Sequence, residues 1–160
     1  MNKRDIVIGL VILAALAGFI YFRQKNIRKS QELTTPQTLS LEDQLEDAFK
    51  VKLPEDVDKA ELMDVAGGTA SGIATRKFES GKFTHAVLAD LPDTAAGAFY
   101  QGWLVMGDNV LSTGRLREAK GGFILEFESN KDYSGYNKVV VSLEEKADAA
   151  PEKHILEGSF

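Results

Sequence analysis

The sequence predicts a mainly β protein: an antiparallel β-sandwich of the Ig-like, Greek-key type, preceded by one transmembrane helix and a short amphipathic helix. Three observations predict it. Residues 6–22 are an unbroken apolar run. From Lys59 onward apolar residues alternate with polar ones instead of following a helical period. Turn signals then recur at intervals of about 10–15 residues, with no long helical pattern between them.

The apolar run Ile6–Phe22 is bracketed by Lys3 and Arg4 before it and by Arg23, Lys25, Arg28 and Lys29 after it. At about 1.5 Å per residue it covers roughly 25 Å, and snorkelling basic stems supply the rest of a ~30 Å hydrocarbon core. Residues 1–5 form a short polar tail. Ala15-Leu16-Ala17 matches a signal-peptidase pattern, but Phe19-Ile20-Tyr21-Phe22 continues the apolar run past it, which favours a retained anchor. Leu16-Ala17-Gly18 resembles the start of a lipobox, yet Phe19 stands where the lipidated cysteine belongs. Ala14 and Gly18 have the spacing of a helix-packing pair, a pattern common in any apolar helix.

Charge is divided along the chain. Residues 1–39 carry six Lys/Arg against two Asp/Glu, whereas residues 40–160 carry thirteen against twenty-two. A basic stretch beside the anchor suits anionic headgroups, while an acidic body is repelled by nucleic acid, which is therefore not expected as a partner. The chain has no cysteine, which removes disulfides, thiolate metal sites and Cys nucleophiles. The basic residues after the anchor outnumber those before it, which by itself favours a cytoplasmic body.

Residues 23–39 are polar, hold one proline and read as a flexible linker. Ser40 then has the character of an N-cap, with Glu42 and Asp43 in the first turn. Leu41, Leu45 and Phe49 fall on one helical face, predicting a short helix over about 41–49 whose stripe covers the domain's own core. Residues 40–58 thus hold this helix and a connection, and 59–160 the β domain.

Eight strands are predicted: Lys59–Val65, Gly72–Phe78, Phe83–Asp90, Phe99–Met106, Ser112–Glu118, Phe123–Glu128, Lys138–Glu144 and His154–Ser159. Turns between them are marked by Gly67-Gly68, Ser80-Gly81, Pro92-Asp93, Gly107-Asp108-Asn109, Lys120-Gly121-Gly122 and Ser134-Gly135. Phe123, Leu125 and Phe127 share one face opposite Glu126 and Glu128. Val139, Val141 and Leu143 do the same opposite Lys138, Ser142 and Glu144. One dry and one wet face is the mark of an antiparallel sheet. Phe99–Met106 is apolar on both faces and is expected at the sheet centre, with Trp103 in the core.

The residues offer little chemistry. His85 and His154 are the only histidines and lack a carboxylate at ligand spacing, so no metal site is expected. Asp90, Asp93 and Asp108 lie at strand ends and turns, where hydrogen bonds to local backbone are the ordinary explanation. Ser71 fails the Gly-x-Ser-x-Gly spacing of a nucleophile elbow, and no glycine-rich loop leads into a Lys and a helix. Glu126/Glu128 and Glu144/Glu145 read as solvated faces and edges. Tyr100, Tyr133 and Tyr136 are candidates for an exposed aromatic contact. No catalytic residue, cofactor site or metal site is predicted.

Phe99-Tyr100-Gln101-Gly102-Trp103-Leu104-Val105, the turn at Gly107-Asp108 and the strand Ser112-Thr113-Gly114-Arg115-Leu116 carry a family likeness, as does Val139-Val140-Val141-Ser142-Leu143-Glu144. Together they resemble the extracytoplasmic C-terminal domain of bacterial anti-sigma-K factors over roughly residues 70–160. Tyr100, Gln101, Trp103, Gly114 and Ser142 are the residues matching the family's pattern, and their role there is to define the fold. The resemblance implies a β-sandwich outside the cytoplasmic membrane, joined by one helix to a cytoplasmic sigma-binding domain. Only five residues precede the apolar run here, so direct sigma-factor binding is not expected. The family topology favours an extracytoplasmic body over the arrangement that the basic residues favour. The expectation is a single-pass bacterial protein held in the lipid bilayer by residues 6–22. Its role would be non-catalytic sensing or binding of another membrane or envelope protein. A scaffolding protein is the alternative, and an envelope hydrolase with an unrecognised site a more distant one.

Overall fold

The computed structural model describes residues 39–160. The tail 1–5, the apolar run 6–22 and nearly all of the linker 23–39 lie outside the described residues. Among the described residues no helix is long and apolar enough to cross a membrane.

The helix α1 (Leu41–Phe49) starts at Ser40, whose side chain accepts the Asp43 N–H at 3.1 Å, and has Glu42 and Asp43 in its first turn. It ends at Lys50 in the left-handed region, φ 55°, with Val51 N–H donating to the Glu46 carbonyl. The Glu46 carboxylate then accepts Leu53 N–H at 2.7 Å and folds the connection back along the domain. Leu41, Leu45, Phe49 and Leu53 pack on Ile73, Leu88 and Ile124, as the predicted stripe requires.

Nine antiparallel strands follow. They are β1 (Asp58–Asp64), β2 (Ser71–Glu79), β3 (Lys82–Asp90), β4 (Phe99–Met106), β5 (Asn109–Arg115), β6 (Arg117–Ala119), β7 (Gly122–Ser129), β8 (Lys138–Glu144) and β9 (Lys153–Ser159). The mainly β, antiparallel prediction holds. The two-sheet sandwich is corrected: all nine strands are hydrogen-bonded into a single sheet, in the order β5-β4-β8-β9-β1-β2-β3-β7-β6. This sheet curls into a nearly closed barrel.

Two local features produce the curl. The predicted strand Ser112–Glu118 is really two, β5 paired with β4 and β6 paired with β7, which are separated in the sheet by all the other strands. Gly114, at φ 114°, and a register shift opposite Gly102/Trp103 let the chain leave β4. Leu116 N–H still donates to the Tyr100 carbonyl at 2.9 Å before β6 begins. At the second seam β1 and β9 share only two register pairs, Met63 with Glu157 and Asp64 with Leu156. A short seam lets the two halves of the sheet face one another.

The barrel interior holds Leu62, Ala74, Phe83, Val87, Leu104, Leu125, Val139, Val141 and Leu156, all with 2 % exposure or less. A bulge between Val141 and Ser142 puts Ile155 and Leu156, adjacent in sequence, both inside. Each buried Leu, Ile, Val or Phe among them contributes about 1.5–3 kcal/mol. One barrel end is closed by aromatic edges: Tyr133 against Phe83 at 5.7 Å and against Tyr136 at 5.5 Å. There Arg76 lies 4.2 Å over the Phe160 ring and donates to Asp58 and to the Tyr136 carbonyl. Among the described residues nothing closes the other end.

Trp103 is buried, as predicted, but not among the interior residues. It sits on the outer face of β4 with Val140 and Ser142 of β8 opposite and beside it.

Candidate functional site

The open mouth of the barrel is a cleft of about 610 Å³. Three stretches far apart in sequence build it: the β1–β2 turn (64–70), the start of the β3–β4 connection (90–95) and the facing ends of β4, β8 and β9. The floor is apolar, made by Leu91, Tyr100, Leu143 and Ile155. Tyr100 is held upright by its hydroxyl, which donates to the Pro92 carbonyl at 3.0 Å, and by an edge-on contact with Phe123 at 5.0 Å. Burial, with the Asp93 carboxylate nearby, raises the Tyr100 phenol above its ordinary pKa.

Among the described residues four charged side chains line the cleft: Asp64, Asp90, Asp93 and Lys153. Asp64 is engaged locally, accepting the backbone N–H groups of Ala66, Gly68 and Ala70 at 2.8, 2.8 and 3.1 Å. Those amides, Gly68 foremost, hold its carboxyl below the usual range. Among the described residues Asp90, Asp93 and Lys153 have no ion-pair partner within 4 Å. The cleft therefore offers an apolar floor with uncommitted charges of both signs at its rim.

The five family-pattern residues fall in three places. Tyr100 forms part of the cleft floor. Gln101, Trp103 and Ser142 gather on the opposite, outer face, where Trp103 Nε1 donates to Ser142 Oγ at 2.6 Å and Gln101 donates to Ser112 at 3.1 Å. Gly114 marks the turn-away of β5. Glu144 extends the outer-face chain, accepting from the Ser142 hydroxyl and from Glu152 N–H at 3.0 Å. Its expected solvation is corrected: Glu144 is fully buried, and its Oε2 has no partner among the described residues. Glu126 and Glu128 bear salt bridges to Arg117 and Lys82.

The histidines do not meet. His85 lies inside the barrel, 2 % exposed, with Nδ1 at 2.8 Å from the Thr75 carbonyl and Nε2 buried without a partner. A carbonyl only accepts, so Nδ1 carries the proton. His154 is outside, paired with Glu157 at 2.6 Å. Among the described residues no group of three or more His, Asp or Glu could hold a metal ion. Tyr133 and Tyr136 belong to the closed end of the barrel rather than to a free surface. In the sequence Pro92-Asp93 and Gly67-Gly68 have the character of turns, and no motif distinguishes Asp64 or Lys153. The last strand, predicted from His154, starts one residue earlier, which puts Lys153 at the sheet end.

A family model described as the C-terminal domain of the anti-sigma-K factor RskA matches residues 7–155. The chain belongs to this family. Searches of curated proteins and of solved structures returned no match. The RskA-type likeness seen in the Tyr100–Trp103 and Val139–Glu144 stretches thus extends over nearly the whole chain, and it makes this an anti-sigma-factor-like domain with a regulatory, protein-partnered character.

Proposed function

We propose that this RskA-type chain is a single-pass protein of the bacterial cytoplasmic membrane that displays its barrel on the outer side as a non-catalytic sensing or partner-binding module. The family match carries the reading, because it runs as one unit from residue 7 in the apolar run to residue 155 in the last strand. The length and flanks of residues 6–22 support the anchor. The open cleft supports binding, being concave, apolar-floored and rimmed with uncommitted charges. A non-enzymatic role agrees with the histidines: one is sealed by burial and a backbone carbonyl, the other committed to Glu157. The partner is another membrane or envelope protein.

A periplasm-active reporter fused after Phe160 tests the orientation; an inactive fusion with an active cytoplasmic counterpart would reverse it. A photo-crosslinking residue at Thr94, on the cleft, is expected to capture a membrane or envelope protein in living cells. The same residue at the exposed Glu128 should not. Equal capture from both positions would remove the cleft as the contact surface.

A further inference from the structure

The chemistry of the cleft narrows what it accepts. Its volume, about 610 Å³, lies in the range of roughly 300–1,000 Å³ that small ligands and short peptides occupy. Lys153 opens β9 beside Leu143, which pairs with Tyr100 in the sheet, and the Tyr100 hydroxyl reaches Pro92 between Leu91 and Asp93. Lys153 thus stands at the start of β9, while Asp90 at the end of β3 and Asp93 in the β3–β4 connection stand on another part of the rim around one apolar floor. Asp64, the fourth charge, is consumed by three backbone amides. A purely cationic ligand would leave Lys153 opposed, and a purely anionic one would face two aspartates. An apolar ligand alone would cover three charges without pairing them, which is costly.

The geometry points to a short zwitterionic peptide with a free amino end and a free carboxylate end, its apolar middle over Tyr100 and Ile155, as the ligand of the cleft. The amine meets Asp90 and Asp93, and the carboxylate meets Lys153. This rests on the cleft being the binding surface proposed above and gives it a peptide ligand distinct from the protein partner. The Thr69 and Thr94 side chains also line the cleft, and their hydroxyls would serve the peptide's own amides.

The test uses the full chain in nanodiscs and the tripeptide Ala-Leu-Ala, unmodified, N-acetylated, C-amidated or blocked at both ends. The unmodified peptide is expected to shift the amide resonances of residues 66–70 and 91–95 saturably. Each exposed charge contact is of the strength of a surface ion pair, so blocking one end should weaken binding about three- to fivefold, and blocking both about tenfold or more. Lys153→Met should abolish the effect of amidation but keep that of acetylation. The double variant Asp90→Asn, Asp93→Asn should do the reverse. All three side chains are exposed, so the variants are expected to keep the wild-type melting temperature. Absence of saturable shifts at millimolar peptide, or equal affinity for the doubly blocked form, overturns the proposal. Capture of a partner from Thr94 alongside a failed peptide titration would sink the ligand class alone, whereas failed capture with intact peptide binding would sink the partner-binding role.

Discussion

Trp103 and Ser142 are joined across β4 and β8 by a 2.6 Å hydrogen bond from the indole N–H to the hydroxyl oxygen, on the face of the sheet turned away from the barrel interior. Both residues are essentially unexposed, at 1 % and 0 %. Ser142 also donates to Glu144 Oε1, so one hydroxyl serves a buried donor and one oxygen of a buried carboxylate at once. Ser142→Ala removes both links and leaves the indole N–H unsatisfied. The expected loss is about 1–3 kcal/mol, read as a lower midpoint in urea unfolding. Trp103→Phe in the Ser142→Ala background should cost less than in the wild type, because the donor has already lost its acceptor. Strict additivity of the two changes would show that the bond does not couple the strands.

His85 predicts an acid sensitivity with a defined window. Burial pushes its pKa from 6.5 down to about 4, against the smaller opposing effect of its bond to the Thr75 carbonyl; Arg76 lowers it further. The folded state therefore holds His85 neutral, while the unfolded chain protonates it near 6.5. Between these values the unfolded state binds more protons, so stability rises with pH and is lost as pH falls from about 6.5 towards 4. The full effect is about 3 kcal/mol. The carboxylates with lowered pKa, such as Asp64, Asp56 and Glu157, lose their contribution only at lower pH. Between pH 7 and 4 the urea midpoint of the wild type should fall relative to that of His85→Gln, which has no imidazole to protonate. A parallel pair of curves would mean that His85 is not neutral in the fold.

Much of the strand pattern was legible because each strand buries one side. Phe99–Met106 and Lys138–Glu144 are found with the predicted bounds, and the helix stripe of Leu41, Leu45 and Phe49 packs on the domain. What was not legible is non-local. No alternation announces that Ser112–Glu118 changes partner at Leu116, since both halves keep the same extended backbone and only Gly114 hints at the break. That change separates a curled single sheet from a sandwich. Glu144 reads as a solvated edge because its neighbours Ser142 and Glu152, which bind it, lie on either side of a loop. The cleft was invisible for the same reason: Asp64, Asp93 and Lys153 meet only when strands distant in sequence align their ends.

Gly121 and Gly81 make a contrasting pair. Both have positive φ, 98° and 77°. A Cβ on Gly121 would fall 2.5 Å from the Ala48 carbonyl oxygen at the end of α1, whereas one on Gly81 meets nothing within 4 Å. Gly81→Ala should cost only backbone strain, about 1–2 kcal/mol. Gly121→Ala adds a clash with the helix end and should cost about 2–4 kcal/mol. Amide exchange in α1 would accelerate in the second variant and stay unchanged in the first. Equal costs for the two would mean that the close approach of the β6–β7 turn to α1 does not restrain the helix.

Asp64 closes the turn that forms one wall of the cleft, and its effect is local. Three amide donors converge on it, so Asp64→Ala leaves Ala66, Gly68 and Ala70 N–H without their acceptor. Hydrogen exchange at those three amides should accelerate by about tenfold, with little change at Ala74 or Val87 in the strands. Because the bonds hold the carboxyl below its usual range, the turn is fully closed above the unfolded pKa of about 3.9 and loosens as pH falls through the lower folded value. Asp64→Asn keeps one acceptor oxygen and should fall between the wild type and alanine. An exchange rate unchanged in the alanine variant would show that the turn closes without its carboxylate, and the cleft wall would then owe its shape to Gly67 and Gly68 alone.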